Sequence, residues 1–288
     1  MEWRRRQLIG TAIRTVAAAP LILPQSAKGA NDRPTYVLIG AGGRGRNLSR
    51  AFQKLGAVPL GLCDVYQPHL HTAVKESPAG VKTFVDYHEM LAQLPGIDFV
   101  VSGTPDHHHQ PTLAASLAAG KDIYLEKPLS MSIAQSRQMV EMVRATDRIV
   151  QIGMQRRSMD FIHKAKQVID SGELGRVHMV KALWNWHFNM PLSTKPLEGA
   201  LDWERFQGPA ARRELTPPRF RWWRGFWDYS GGNMTDQGTH LMDVVQWMMG
   251  AQPPLTAYSH GAKVSIPGIE APNIFDTIFE YPDFLATW

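Results

Sequence analysis

The sequence predicts an α/β protein whose first half is a doubly wound parallel sheet. Three observations carry this. A glycine-punctuated strand–turn–helix, TYVLIGAGGRGRNLSRAFQKLG, opens at Thr35. Short apolar runs then alternate with helical patterns of about ten to fifteen residues, the spacing of parallel strands joined by crossover helices. Polar and turn-forming residues gather where these runs end, in Asp64, Gly103-Thr104-Pro105 and Glu126-Lys127. The carboxyl ends of the strands are where such sheets bind their ligands.

In chain order, residues 36–39 form the first apolar strand. Gly40, Gly42 and Gly45 then make G-x-G-x-x-G, with Gly43 and Arg44 in the same turn, and Leu48, Ala51, Phe52 and Leu55 mark a helix. The glycines allow a tight turn, close approach of backbone to a pyrophosphate, and close helix–strand packing. The helix start offers its positive end to phosphates. VPLGLC is the second strand and ends in Asp64, where a ribose-binding carboxylate belongs. Asp64 favours NAD, because a 2′-phosphate would meet a like charge, while Arg44 and Arg46 leave NADP open. Residues 86–94 read as a short helix, 97–102 as a strand broken by Gly103-Thr104-Pro105, and 109–119 as a helix ended by Gly120. Residues 122–125 are the next strand and 133–145 the next helix, and IVQIG is another strand. Three consecutive histidines, 107–109, diverge on a loop entering a helix. They predict one capping or cofactor-facing histidine, with His109 the candidate, rather than a metal site.

The second half begins with the helix FIHKAKQVIDSGELG and a long strand over 176–187. LDWERFQGPA and FRWWRGFWDYSGG are dense in tryptophan and arginine, which suits sugar faces and ordinary packing equally. A helix over 236–248 would put Asp236, His240 and Asp243 on one face, able to present a carboxylate and an imidazole to hydroxyl groups. D-x-x-x-H lacks a third ligand, so no metal is expected.

Composition narrows the classes further. The 288 residues are 44% hydrophobic and 20% charged, ordinary for a globular protein with a sizeable core. The net charge of +5 is concentrated in the leader, where Arg4, Arg5, Arg6, Arg14 and Lys28 face Glu2 alone. The remainder is nearly neutral, which argues against a nucleic-acid face. The single cysteine, Cys63, excludes an intrachain disulfide and reads as a small buried residue. Residues 1–30 have the layout of an export signal, and Arg4-Arg5-Arg6-Gln7-Leu8 resembles a twin-arginine signal. This predicts a periplasmic or exported protein with no membrane span in the mature chain. The alternative is a cytoplasmic protein with a basic N-terminus.

Four stretches together resemble the Gfo/Idh/MocA family of glucose–fructose oxidoreductase and inositol dehydrogenase relatives: IGAGGRG, GTPDHHH, YLEKPLS and GGNMTDQGTHLMD. The resemblance covers residues 34–288. It implies a Rossmann domain over 34–155, then an α+β domain over 156–288. That domain's mostly antiparallel sheet often carries oligomer contacts on its open face, so a homo-oligomer is expected. Lys127 resembles the family's catalytic lysine. Partial burial beside a nicotinamide cation favours its neutral amine, ready to take a proton from a sugar hydroxyl. In this family the Lys–Pro bond is commonly cis. Gly40, Gly42, Gly43, Arg44, Gly45, Asp64, Thr104, Pro105, His109, Glu126 and Lys127 would form the cofactor site. Asp236 and His240 would line the sugar site opposite Lys127, with Asn185, Gln155 and Arg156 as weaker candidates on the same grounds. Family members extend further than Trp288, so the chain is expected to be C-terminally incomplete.

The implied function is an NAD(P)-dependent oxidoreductase acting on a secondary alcohol of a sugar, polyol or related compound. Export predicts a tightly held NAD regenerated in place. One alternative is an NAD-dependent glycoside hydrolase working by transient oxidation and elimination. Another is a non-catalytic binding protein of the same fold.

Overall fold

Each apolar run of the first half becomes a parallel strand, and each periodic stretch between them a helix. The computed structural model describes residues 33–185, 192–250, 253–264 and 266–288. In it, β1 (Thr35–Ile39) leads through α1 (Gly43–Lys54) to β2 (Val58–Cys63). Next come α2 (Gln67–Lys75), β3 (Lys82–Phe84), α3 (Tyr87–Gln93) and β4 (Phe99–Ser102). A 3-10 turn over Asp106–His108 opens α4 (His109–Ala118), and β5 (Asp122–Leu125), α5 (Ile133–Arg144) and β6 (Val150–Ile152) follow. The α2 and β3 elements carry little signal in the sequence, since β3 has three residues and buries only Phe84. Leu55 falls just beyond the end of α1 and is exposed rather than packed.

The six strands are all parallel, in the order β3-β2-β1-β4-β5-β6. The order reverses between β1 and β4, and the loops leaving those strands part there into a crevice. Val37, Leu38, Val100, Val101 and Leu125 are fully buried, as expected of strands covered on both faces. Local signals set the helix starts: the Asp86 side chain caps α3 through the His88 amide at 2.8 Å, and Ser132 caps α5 through Gln135 at 3.2 Å.

The second half runs through α6 (Asp160–Asp170), β7 (Met179–Lys181), α7 (Trp203–Gln207), α8 (Pro217–Arg221), α9 (Gly232–Asp236) and α10 (Gly238–Met249). Then β8 (Thr256–Ala262), β9 (Ile274–Glu280) and β10 (Leu285–Thr287) form, with β7, a sheet of order β7-β10-β9-β8. It is antiparallel except for the β7–β10 pair. Val245 of α10 packs on one face against Ala182, Tyr281, Phe284 and Ala286. Tyr258, Ile274 and Ile278 are exposed. Residues 34–288 form one compact unit, and among the described residues no helix is long and apolar enough to cross a membrane. The expected export signal lies outside the described residues.

Two expectations are corrected. The strand predicted over 176–187 is only Met179–Lys181, because its ladder partner β10 is itself three residues long; positions 186 and 187 lie outside the described residues. The helix predicted over 236–248 is interrupted. The Asp236 carbonyl accepts from Lys127 Nζ at 2.9 Å, so the His240 amide turns to Gln237 O at 3.0 Å, and α9 ends where α10 begins. Asp243, three residues beyond His240 within α10, has its carboxylate held by Arg157 at 2.7 and 2.8 Å.

Candidate active site

The glycine turn is built by mutual exclusion of side chains. Gly40 has φ of +84°, and a Cβ there would lie 2.8 Å from the Gly103 carbonyl carbon. A Cβ on Gly45 would fall on the Gly40 carbonyl oxygen, and one on Gly103 would lie 2.8 Å from Gly45 Cα. Three backbone segments therefore touch, drawing the start of α1 against the ends of β1 and β4. No side chain caps α1 and its first turn holds no acid, so its leading amides are open to an anion. Asp64 is oriented by the Ala41 amide at 2.7 Å and the Tyr66 amide at 2.8 Å, with His69 Nδ1 at 3.3 Å. These features fit a dinucleotide. They open on a cavity of about 880 Å³ lined by Gly40, Gly42, Gly43, Arg44, Asp64, Thr104 and Pro105, and on its other side by residues of the second half.

A smaller cavity of about 210 Å³ is lined by Lys127, Glu126, Asp106, Gln155, His240 and Arg224, and shares Arg44, Thr104 and Trp223 with the first. Lys127 sits just beyond β5, and the Lys127–Pro128 bond is cis. Its ammonium pairs with the Asp236 carboxylate, which Arg224 Nε also approaches at 3.2 Å. Burial alone would raise the Asp236 carboxyl, but the charges of Arg224 and Lys127 outweigh it and hold the group below its usual range. Glu126 is buried and clamped by Arg44 at 2.6 and 2.8 Å. Burial, aided by the nearby charges of Lys127 and Arg156, pushes His240 down to about 4. A neutral imidazole thus faces the cavity near pH 7, and its buried Nδ1 has no hydrogen-bond partner. Such a ring can meet a hydroxyl group as a hydrogen-bonding partner without adding charge.

The remaining expected site residues are placed differently. His109 lies outside both cavity linings, fully buried, and as a neutral ring can donate from Nδ1 to Pro128 O at 2.5 Å, with Nε2 turned toward Thr104. His107 and His108 both donate to Phe206 O at 2.7 Å, so the triplet fastens two halves of the chain. Arg156 lies outside the linings with its guanidinium over the Trp184 ring at 4.6 Å. Asn185 is exposed and lines neither cavity. Among the described residues no group of three or more ligating side chains could hold a metal ion.

Sequence reasoning missed Asp106, Arg224 and Trp223. Asp106 stands inside the quoted GTPDHHH stretch, but only the fold shows its carboxyl buried beside Lys127 and accepting from the Ser230 hydroxyl at 2.7 Å. Burial pushes that carboxyl up to about 7. Arg224 and Trp223 were legible only as members of an arginine–tryptophan cluster.

The buried ionisable groups predict a pH effect on stability. Burial pushes His107 down to about 3, His109 and His240 to about 4, and lowers His108 from its ordinary 6.5. Between pH 6.5 and about 4 the unfolded chain takes up protons on these rings that the folded chain refuses. Their contribution is therefore complete above 6.5 and is lost as pH falls. Asp106 opposes this, since its folded value lies above the ordinary 3.8 and its contribution is lost as pH rises toward 7. Four groups outweigh one. Urea unfolding at pH 5 is expected to show stability lower than at pH 7, on the order of 4 kcal/mol. Equal midpoints at the two pH values would contradict neutral burial of the histidines.

Comparison with known proteins identifies the family. The NAD-binding Rossmann-fold model of the Gfo/Idh/MocA oxidoreductases matches residues 35–154, and the C-terminal domain model of the same group matches 162–288. The chain belongs to the Gfo/Idh/MocA family. This Gfo/Idh/MocA protein is 28% identical over 200 residues to scyllo-inositol 2-dehydrogenase (NAD(+)) of Bacillus subtilis, covering 69% of this chain and 48% of that enzyme. It thus spans about half the length of the curated relatives it matches. Two solved structures share its fold. One is the WlbA dehydrogenase of Chromobacterium violaceum with NADH and UDP-GlcNAcA, with TM-score 0.68, 21% identity, 88% of this chain and 66% of that one. The other is scyllo-inositol dehydrogenase of Lactobacillus casei with NAD(H) and scyllo-inositol, with TM-score 0.66, 20% identity, 88% of this chain and 68% of that one.

Proposed function

We propose that this Gfo/Idh/MocA protein is an NAD-dependent oxidoreductase. It would act on a secondary alcohol of a sugar or an inositol-like polyol. The observation that carries the reading is Lys127, paired with Asp236 in a small cavity that opens on the dinucleotide cleft and also holds the neutral His240. Residues 40–45 and the start of α1 would hold the pyrophosphate, and Asp64 the ribose hydroxyls, where its negative charge disfavours a 2′-phosphate. Bound NAD supplies a hydride acceptor and, once reduced, a donor. In the oxidising direction the Lys127 ammonium would first release a proton to solvent, and the resulting amine would take the hydroxyl proton on Nζ as the hydride leaves the same carbon. In the reducing direction Lys127 returns that proton to the oxygen. Asp236 holds the amine in place, and His240 orients the hydroxyl groups.

A second reading is glycoside hydrolysis by transient oxidation, elimination, addition of water and return of the hydride. The Asp106 carboxyl, pushed up to about 7 in the same cavity as Lys127, favours it, because elimination and addition of water need a second proton carrier. One experiment tests and separates the two. Purified protein is offered inositols, sugars and aryl glycosides with NAD, and both NADH and free aglycone are measured. NADH with a ketone product is the expected result. Free aglycone without net NADH would select hydrolysis, and no reaction with any of these alcohols would reject both.

A further inference from the structure

The charged groups of the small cavity are matched, with one exception. Lys127 and Arg224 share the Asp236 carboxylate, and Arg44 holds Glu126. The Asp106 carboxyl lines the same cavity and is 3% exposed, yet among the described residues it forms no ion pair. Its Oδ2 accepts from the Ser230 hydroxyl at 2.7 Å, and Ser230 is itself fully buried. A buried carboxyl without a cation is costly, and fastening Ser230 does not require one. An asparagine oxygen would accept the same bond without carrying a charge. The next two residues show the cheaper fastening, since His107 and His108 bond Phe206 O as neutral rings. Charged neighbours act on Asp106 from several elements. Lys127 beyond β5 and Arg224 in the 3-10 turn over Trp223–Gly225 favour its carboxylate, as does the Ser230 bond, while Asp236 at the end of α9 disfavours it. Burial outweighs them, so the group can hold or lose a proton near pH 7. The three histidines that begin at 107, and His240 of the same cavity, are neutral at that pH.

Both readings above begin by oxidising an alcohol, which liberates one proton in a site where the Lys127 side chain is only 11% exposed. Lys127 stands there as an ammonium ion donating to the carboxylate and the carbonyl of Asp236. It has to lose a proton before it can take one. Resting on that role of Lys127, we propose that Asp106 is the second proton carrier of the site, passing protons between Lys127 and solvent. In oxidation an N–H bond of the ammonium breaks and an O–H bond forms on the Asp106 carboxylate, leaving a neutral amine and a neutral carboxylic acid. The amine then takes the hydroxyl proton, and Asp106 releases its own to solvent. In reduction the order reverses: Asp106 takes a proton from solvent and recharges Lys127 after the lysine has protonated the new alcohol oxygen. No electrons move in these transfers, since the hydride passes separately between the substrate carbon and the nucleotide. At about 210 Å³ the cavity has room for water to link the two side chains, one water needing about 10–15 Å³. Oxidation therefore needs Asp106 ionised, and reduction needs it protonated.

The test compares the full native chain with Asp106→Asn, which keeps the shape and the Ser230 bond, and with Ser230→Ala, which removes that bond and keeps the carboxyl. Values of kcat/KM are followed from pH 5 to 9 in both directions, on an alcohol the native protein accepts and on its ketone. Native oxidation is expected to fall below about pH 7, and native reduction to fall above it. Asp106→Asn is expected to lose both limbs and to oxidise at least about tenfold more slowly at pH 8, with NADH binding unchanged and rate recovered as imidazole is added. Ser230→Ala is expected to move the oxidation limb to higher pH, because the lost hydrogen bond had favoured the carboxylate. Infrared spectra give a reading independent of turnover. The native protein is expected to lose a protonated-carboxyl band as pH rises through about 7, and Asp106→Asn to lack that band. Native rates in Asp106→Asn would overturn the carrier. A slow Asp106→Asn with native pH limbs and no response to imidazole would also overturn it, leaving Asp106 a fastening residue. If Asp106→Asn does not fold, Ser230→Ala decides: a limb that stays in place overturns the proposal, and one that moves upholds it. If the native protein oxidises no alcohol, the oxidoreductase reading fails and takes the carrier with it; oxidation with limbs indifferent to both substitutions sinks the carrier alone.

Discussion

Replacing Lys127 by alanine is expected to lower turnover about 10²- to 10⁴-fold, the usual worth of a positioned proton donor or acceptor. Nucleotide binding should survive. The reason is the distribution of charge around Asp236. Lys127 donates to its carboxylate and to its carbonyl. Without the lysine, the carboxylate keeps Arg224 Nε at 3.2 Å and the Gln237 side-chain amide at 3.0 Å. It is not left as an orphaned buried charge, so the site should keep its shape while losing its proton carrier. Lys127→Arg should be nearly as inactive, because a guanidinium does not give up its proton in a protein. The check is paired: steady-state rates on whichever alcohol the native protein accepts, and NADH titration by fluorescence. Native rates in Lys127→Ala would remove the lysine from the chemistry. Lost NADH binding would instead assign it to the cofactor.

Gly45→Ala is expected to cost about 3 kcal/mol, at the upper end of overpacking penalties, and to abolish dinucleotide binding. The new methyl group would occupy the place of the Gly40 carbonyl oxygen. The turn has little room on its far side, because even a Cβ added to Gly40 would lie 2.8 Å from the Gly103–Thr104 backbone. Relief requires the start of α1 to move away from the sheet, which carries its open amides out of register with the phosphates. The neighbouring Gly43→Ala is the control. Nothing lies within 4 Å of a Cβ there, and at this first position of α1 alanine gains part of the roughly 0.5–1 kcal/mol it has over glycine in a helix interior. Thermal unfolding of the two variants should therefore move in opposite directions. For a chain of this size each kcal/mol corresponds to about 2–4 °C. A Gly45→Ala protein as stable as the native one would mean that the turn relaxes more freely than its contacts indicate.

The parallel half was legible because its signals are local and mutually consistent. Apart from α2 and β3, the alternation from β1 to β6 follows runs of apolar residues bounded by turns, and the G-x-G-x-x-G spacing demands one backbone path. Asp64 could be placed because it ends a strand that the pattern defined. The second half was less legible for the converse reason. The run over 176–187 has strand-like composition, but the length of β7 is decided by its partner β10, more than one hundred positions away. The α9–α10 break depends on one long-range hydrogen bond, from Lys127 to the Asp236 carbonyl, and no periodicity can announce that. His109 misled for a related reason. A histidine entering a helix at a strand end looks the same whether it faces a ligand or, as here, is buried behind the site against the Pro128 carbonyl.

Local chemistry thus settled the nucleotide-binding turn, the order of strands and helices, and the presence of a lysine where a strand ends. Those properties depend on residues close together in the chain, where propensity, periodicity and turn sterics act within a few bonds. The tertiary structure alone decided that Lys127 meets Asp236, that Asp106 is buried near Lys127, and that residues within 197–224 line one side of the cleft. Each of those is a contact between distant segments. Its energy appears only once burial has excluded water and brought the charges together, and no short window of sequence contains it.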